Sequence, residues 1–269
     1  MPSLKVGIAG LGTIGKKVAT TLLSGMPGLA LAAVSSGDRD KAGAALAALG
    51  CAVPVVSPDE LAALVDVVVE CAPTAAFTSI ARPALRRGRT LLTVSGAAIL
   101  QHPDIVDLAR ANGGKILLAT GALLGLDAVR AAAESTIHSV IMVTRKPPRS
   151  LLKAKYIIEN NISLDDLAEP LLVFKGSARE GAEKFPSNVN VAAALGLAGI
   201  GPDLTQLEIW ADPTRVRNTH FITVDADSAR FELKIENVPT EENPGTGRIT
   251  ALSVIAALRS LGAPMRVGT

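Results

Sequence analysis

The chain has 269 residues, 48% of them hydrophobic and 19% charged, which suits one large domain or two modest ones and excludes a disordered chain. Its formal net charge of +2 is too small to argue for a nucleic acid or an anionic membrane as partner. Two cysteines, Cys51 and Cys71, each in apolar surroundings, offer neither a disulfide framework nor a C-x-x-C zinc pattern.

The N-terminus lacks a charged leader segment, and no uncharged apolar run approaches the roughly 18 residues that span a bilayer. A soluble, cytoplasmic protein is the expectation. The first apolar run, Leu4 to Ala9, is of strand type and ends in Gly10-Leu11-Gly12-Thr13-Ile14-Gly15, followed by a helical segment from Lys16 to Ser24. Strand, glycine turn and helix in that order are the context that a dinucleotide fingerprint requires. Gly10 permits the sharp turn, Gly12 lets backbone approach a pyrophosphate, and Gly15 lets helix and strand pack closely. The amides of Thr13, Ile14 and Gly15 would then face the phosphates at the positive end of the helix.

Strands and helices alternate beyond this point. Strands are expected at Leu29–Ser35, Ala52–Val56, Val65–Glu70, Thr90–Val94 and Lys115–Ala119. Helices are expected at Asp38–Leu49, from Pro58, at Phe77–Arg86 and at Ile105–Ala111. Such alternation implies right-handed βαβ units, a parallel sheet and a Rossmann domain over residues 1–119. The texture changes near Gly121. A helix at Leu126–Glu134 and a strand at Ser139–Thr144 lead into Arg145-Lys146-Pro147-Pro148-Arg149, a basic cluster that reads as a solvated turn. An apolar helix at Val191–Ala198, a strand at Leu204–Trp210 and a hairpin of Thr219–Val224 with Ala229–Glu236 follow. Residues 120–244 thus read as an α+β domain with an open, mainly antiparallel sheet. The helix at Ile249–Leu261, within 245–269, is expected to return to the first domain. The overall class is α/β.

A Rossmann domain beside an α+β domain suggests an oxidoreductase with its substrate in the cleft between them. The loops Glu70-Cys71-Ala72-Pro73-Thr74, Ser95-Gly96-Ala97 and Thr120-Gly121-Ala122 end strands where a nicotinamide would lie, and their small residues permit close approach. Cofactor choice is read at the end of the second strand, where Ser35-Ser36-Gly37-Asp38-Arg39 places no acid. Ser35 and Ser36 are permissive, and Arg39 is placed to reach a 2′-phosphate, so NAD and NADP both remain open. Of the three histidines, His102 and His138 read as structural or surface residues. His220, on the first strand of the hairpin, supplies a group that titrates near neutral pH. No metal-ligand cluster is visible.

The segment Phe185-Pro186-Ser187-Asn188-Val189-Asn190-Val191-Ala192-Ala193 resembles the F-P-x-N-x-N-V-A-A motif of the L-aspartate dehydrogenase family. Gly176-Ser177-Ala178-Arg179-Glu180, Ala211-Asp212-Pro213 with Asn218-x-His220, and Glu236-Asn237-x-Pro239 with Asn243-Pro244-x-Thr246 are similar to further motifs of that family. So is Gly121-Ala122 with Gly125-Leu126-Asp127-Ala128, where Thr120 replaces a serine. The resemblance covers essentially the whole chain. It implies oxidation of L-aspartate to iminoaspartate with NAD or NADP. Iminoaspartate then hydrolyses to oxaloacetate and ammonia, or feeds quinolinate and NAD synthesis. It also implies a homodimer, a catalytic histidine at His220, and nicotinamide-side contacts at Ala122 and Asn190. Read without the resemblance, Asn190 is a helix N-cap. Cationic partners for the two substrate carboxylates are sought among Lys175, Arg179, Lys184 and the loop Asn243 to Gly247. Two alternatives stand beside this reading: a reductase of the dihydrodipicolinate type, and a non-catalytic NAD(P)-binding sensor.

Overall fold

In the computed structural model, residues 3–186, 189–243 and 245–268 are described. They form two compact units. One takes the described residues up to Ser95 together with His102–Ala119 and Thr250–Val267; the other takes Gly96–Gln101, Thr120–Ile249 and Gly268.

In chain order, the first unit begins with β1 (Leu4–Ala9), α1 (Thr13–Leu23), β2 (Leu29–Ser35), α2 (Arg39–Ala48), β3 (Val55–Val56), α3 (Pro58–Leu64), β4 (Val67–Glu70), α4 (Phe77–Arg86) and β5 (Thr90–Thr93). Next comes α5 (Gly96–Gln101), which belongs to the second unit, and then α6 (Asp104–Asn112) and β6 (Lys115–Leu118). The six strands are all parallel, in the order β3-β2-β1-β4-β5-β6. Strand order reverses at β1, so the crevice for a ligand opens at the C-terminal ends of β1 and β4. β4 is buried on both faces, as a central parallel strand of Val-Val-Val-Glu must be. Helix starts follow local chemistry. Ser57 and Glu60 form a capping box ahead of Pro58, and the Asp38 carboxylate accepts from the Lys41 amide at 2.9 Å. The core of Val6, Ile8, Val18, Val34, Val69 and Leu92 also takes in Val254, Ile255 and Leu258. These three lie on the final helix.

The second unit continues with α7 (Leu126–Ala132), β7 (Ile137–Lys146), α8 (Lys155–Glu159), β8 (Leu171–Ser177), α9 (Ala178–Lys184), α10 (Asn190–Ala198), β9 (Gln206–Ala211), β10 (Thr219–Ala226) and β11 (Arg230–Glu236), while the final helix, α11 (Arg248–Gly262), belongs to the first unit from Thr250 on. Its sheet runs β11-β10-β7-β9-β8. Three of its pairings are antiparallel, and β7 with β9 is parallel, so the expected mainly antiparallel sheet is present with one parallel pair. The hairpin is where it was expected, and β7 is longer at both ends than Ser139–Thr144. Along β7 and β10 every second residue is buried, so one face of the sheet carries the core.

Four elements were absent from the sequence reading: α5, α8, β8 and α9. α9 starts in a second capping box, Ser177 with Glu180, which gives the Gly-Ser-Ala-Arg-Glu motif a plain structural use. Between the termini, the strand expected at Ala52–Val56 shortens to two residues. Among the described residues no helix is long and apolar enough to cross a membrane.

Candidate active site

In the first unit the site is made of backbone. Gly10 has φ +95°, a left-handed conformation that a side chain would strain, and the peptide that joins Cys71 to Ala72 lies 2.7 Å from where its Cβ would be. A Cβ on Gly15 would sit 2.0 Å from the Gly10 carbonyl oxygen. These two glycines therefore draw β1, α1 and the loop after β4 together. Gly12 differs, because a Cβ there would meet nothing within 4 Å. Gly12 is also the N-cap of α1, and no side chain caps the amides of Thr13, Ile14 and Gly15. Uncapped amides, open space over Gly12 and the positive helix end together fit the pyrophosphate of a dinucleotide.

A buried carboxylate shapes the neighbouring loops. Glu70 is fully buried at the end of β4 and accepts from Thr93 Oγ1 at 2.6 Å, Ser95 Oγ at 2.8 Å and the Ala72 amide at 2.9 Å. Burial pushes its carboxyl up from the ordinary value, against the pull of these three donors. Burial, and next the Glu70 charge, push the Cys71 thiol up as well, so Cys71 stays protonated and lines the loop as an uncharged group. Glu70 and Ser95 lie in loops that the sequence marked, but this linkage, and Thr93 in it, was not expected. An acid that ends a run of three valines was the available signal.

At the end of β2, Ser35 is buried, and its carbonyl accepts the Gly10 amide at 2.8 Å. The Asp38 amide donates to Ser36 Oγ at 3.3 Å while the Asp38 carboxylate caps α2. No acid is therefore presented at the strand end. Arg39 opens α2 in solvent, 3.9 Å from an equally exposed Glu60.

In the second unit the site is made of side chains. Antiparallel register sets Thr144 on β7 opposite His220 on β10, and His220 opposite Ile235 on β11. Thr144 Oγ1 and His220 Nδ1 are 3.1 Å apart although 76 residues separate them in sequence. His220 is 4% exposed, and so is Lys146, two residues along β7 from Thr144 and on the same face. Burial first, and the Lys146 charge second, lower the imidazole to about 3, so His220 is neutral at physiological pH. Burial lowers the Lys146 ammonium to about 8.

The basic cluster 145–149 is only in part the solvated turn expected of it, since Arg149 is exposed but Arg145 and Lys146 are drawn inward. Arg145 donates to the fully buried Asp212 at 3.1 Å, Lys146 is buried, and the Asp212 amide donates to the Lys146 carbonyl at 2.8 Å. Desolvation pushes the Asp212 carboxyl up, but hydrogen bonds from Thr214, Arg145 and Arg215 outweigh it and hold the group below its ordinary value. This core of charge is what the Ala211-Asp212-Pro213 segment builds.

Asn190 is not the cap of its own helix. Val189 holds that position, and Asn190 Oδ1 instead accepts from the Ala97 amide in the first turn of α5 at 3.1 Å. Ala122 gives its carbonyl to Asn237 Nδ2 at 3.2 Å. Ser187, Asn188 and Pro244 of the two motifs lie outside the described residues. Three of the expected carboxylate partners are engaged elsewhere. Arg179 forks onto Asp203 at 2.5 and 2.9 Å, Lys175 pairs with Glu208 at 3.0 Å, and the Lys184 ammonium stands over the rings of Tyr156 and Phe174. His138 pairs with Asp227 at 2.7 Å on the surface.

Residues 127–261 match the family described as aspartate dehydrogenase, C-terminal, and residues 10–119 match that described as homoserine dehydrogenase, NAD binding domain. The chain is 55% identical to an L-aspartate dehydrogenase of Bradyrhizobium diazoefficiens over 99% of its own length and 94% of that protein's. It is 51% identical to an L-aspartate dehydrogenase of Bordetella bronchiseptica, over 99% of its own length and 98% of that protein's. The crystal structure of an aspartate dehydrogenase from Thermotoga maritima is similar with a TM-score of 0.74 at 25% identity, over 98% of this chain and 99% of that one.

Proposed function

The chain belongs to the L-aspartate dehydrogenase family, and from that premise we propose that it oxidises L-aspartate to iminoaspartate with NAD or NADP, using His220 as the base. Water then releases oxaloacetate and ammonia from the imine, or the imine is drawn into quinolinate and NAD synthesis. The first unit would hold the dinucleotide and the second the substrate. A cytoplasmic homodimer belongs to the same reading, by analogy with the family.

The observation that carries the proposal is the buried pair of Thr144 and His220 with Lys146 on the same face. When bound, the oxidised nicotinamide accepts the hydride that leaves Cα. Only a neutral amine can become an imine, so the protein must first take a proton from the substrate ammonium. In this role Nδ1–H donates to Thr144 Oγ1, which fixes the ring and leaves the Nε2 lone pair to accept that proton. The imidazole is a weak base while Lys146 and desolvation act on it. Two substrate carboxylates would oppose the Lys146 field and raise the basicity of His220 when the substrate is present. The same Nε2 would afterwards activate the water that attacks the imine. Asn190 and Ala122 would border the nicotinamide, and Gly10, Gly12, Thr13, Ile14, Gly15, Ser35, Ser36, Arg39, Cys71 and Ala72 the rest of the cofactor.

Neither a dihydrodipicolinate-type reductase nor a non-catalytic sensor is favoured, since full-length relatives at 55% and 51% identity are named L-aspartate dehydrogenases. Absorbance at 340 nm tests the proposal. With L-aspartate and either NAD or NADP the signal is expected to rise, and with oxaloacetate, ammonium and reduced cofactor to fall. No turnover in either direction would contradict it. The better cofactor reports whether Arg39 is used.

A further inference from the structure

The proposed chemistry leaves Glu70 without a use. This residue closes β4, beside the point where strand order reverses and the crevice opens. Its side chain is fully buried, and both carboxylate oxygens accept. Oε1 takes the Ala72 amide at 2.9 Å, and Oε2 takes the hydroxyls of Thr93 and Ser95 at 2.6 and 2.8 Å. The Ser95 amide donates to Thr93 Oγ1 at 2.9 Å, which leaves the Thr93 proton for Glu70. Three donors that converge on two oxygens are the surroundings of an ionised carboxylate.

Hydrogen bonds hold this charge but do not cancel it. Asp212, equally buried, shows the usual remedy: Arg145 and Arg215 stand 3.1 and 3.4 Å from its carboxylate. Glu70 has no such remedy. Among the described residues no lysine, arginine or histidine pairs with it, and its field falls on Cys71, an uncharged thiol. Buried charges are ordinarily paired, because an uncompensated one is costly. The opposite charge is therefore to be sought in a ligand of the crevice.

The position suits one ligand group in particular. The peptide that joins Cys71 to Ala72 lies 2.7 Å from where a Cβ on Gly10 would be, so the amide that Glu70 holds belongs to a loop packed against the fingerprint turn. A dinucleotide brings phosphates to this crevice, and the uncapped amides of α1 suit those. It brings one further group whose charge depends on its redox state. The nicotinamide ring is a cation when oxidised and neutral when reduced.

We infer that Glu70 is the counter-charge of the oxidised nicotinamide, so that the first unit favours the oxidised cofactor over the reduced one through a buried carboxylate. This rests on the proposed cofactor site and gives it a second property, discrimination of redox state. The glycine turn holds both forms alike, whereas Glu70 tells them apart.

Calorimetric titration with NAD and with NADH tests this without turnover. Glu70→Gln removes the charge and keeps the shape. It is expected to move the ratio of the two dissociation constants about fivefold or more toward the reduced form, as one unit charge in a partly screened interior implies. Glu70→Asp keeps the charge and should leave the ratio within about twofold, even where both affinities fall. A Glu70 that merely braces the loops would weaken both forms alike, so an unchanged ratio in Glu70→Gln would overturn the inference. Thermal melting shows whether each variant is folded. The wild-type protein supplies a reading that needs no variant: NAD should bind about threefold or more tightly than ADP-ribose, which lacks the ring. Equal or weaker binding of NAD would also overturn the inference. A wild-type protein that binds none of the three would contradict the proposed cofactor site, and the inference with it.

Discussion

The two units build their candidate sites by opposite means. The first uses backbone: Gly10 and Gly15 close a turn around open space at Gly12, and the α1 amides are left uncapped. The second uses side chains that register alone brings together, with His220 against Thr144 across 76 residues of sequence. A backbone site needs little burial and tolerates water. A side-chain site of this kind keeps two ionisable groups, His220 and Lys146, almost out of solvent, and each carries a shifted proton affinity as a result. Phosphates, already anionic, need only oriented donors, whereas moving a proton needs a tuned base.

The sharpest way to break this contrast lies at its exception, the buried carboxylate of Glu70 in the first unit. Glu70→Leu would leave two hydroxyls and an amide without an acceptor and should cost about 3 kcal/mol or more in denaturant unfolding. Glu70→Gln, which keeps one acceptor, should cost less than half as much. Equal, small effects from both would mean that the loops after β4 and β5 are held by backbone alone.

The glycines separate fold from binding. Gly15→Ala pushes a methyl into the Gly10 carbonyl and should cost about 2–3 kcal/mol of stability and abolish cofactor binding, read by thermal melting and by quenching of the reduced cofactor. Gly12→Ala meets no atom of the protein, so stability should stay within about 0.5 kcal/mol while cofactor affinity falls roughly tenfold, a change of about 1.4 kcal/mol. An unchanged affinity in Gly12→Ala would place the phosphates elsewhere.

Acid stability gives the most specific effect. His220 titrates at about 3 in the folded chain against an ordinary 6.5. Between those values the unfolded chain binds a proton that the folded chain refuses, so stability falls as pH drops from 6.5 toward 3, at up to about 1.4 kcal/mol per pH unit. His220→Gln should show a shallower loss over that window in urea midpoints measured from pH 7 to pH 4. A parallel pair of curves would contradict the buried neutral imidazole.

What could be read from the chain in advance follows the same divide. The fingerprint was legible because turn, cap and close packing are all encoded within six consecutive residues. The elements β1, β2 and α4 fall where periodicity put them, since alternating apolar segments of ordinary length carry a strong signal. The second site was legible only through motif resemblance. Nothing local marks Thr144 as the partner of His220 or Lys146 as buried; a Lys followed by two prolines and an Arg has the look of a surface turn. Only the pairing of β7 with β10 turns it inward. α5 was missed because six residues after a strand are too short to show a helical period, and the acceptor for its Ala97 amide comes from Asn190, 93 residues away. α9 could have been found from its Ser-x-x-Glu capping box, and β8 from the apolar run between Pro170 and Gly176.

The central claim is that His220 does chemistry while the cofactor is held by other parts of the chain. Its most direct test is His220→Ala, followed at 340 nm in a single turnover with L-aspartate, alongside cofactor affinity by fluorescence. Loss of a general base should lower the rate by about 10²–10⁴-fold, with the cofactor dissociation constant unchanged within twofold. A variant that turns over at the wild-type rate, or one that loses cofactor affinity in step with rate, would contradict the account.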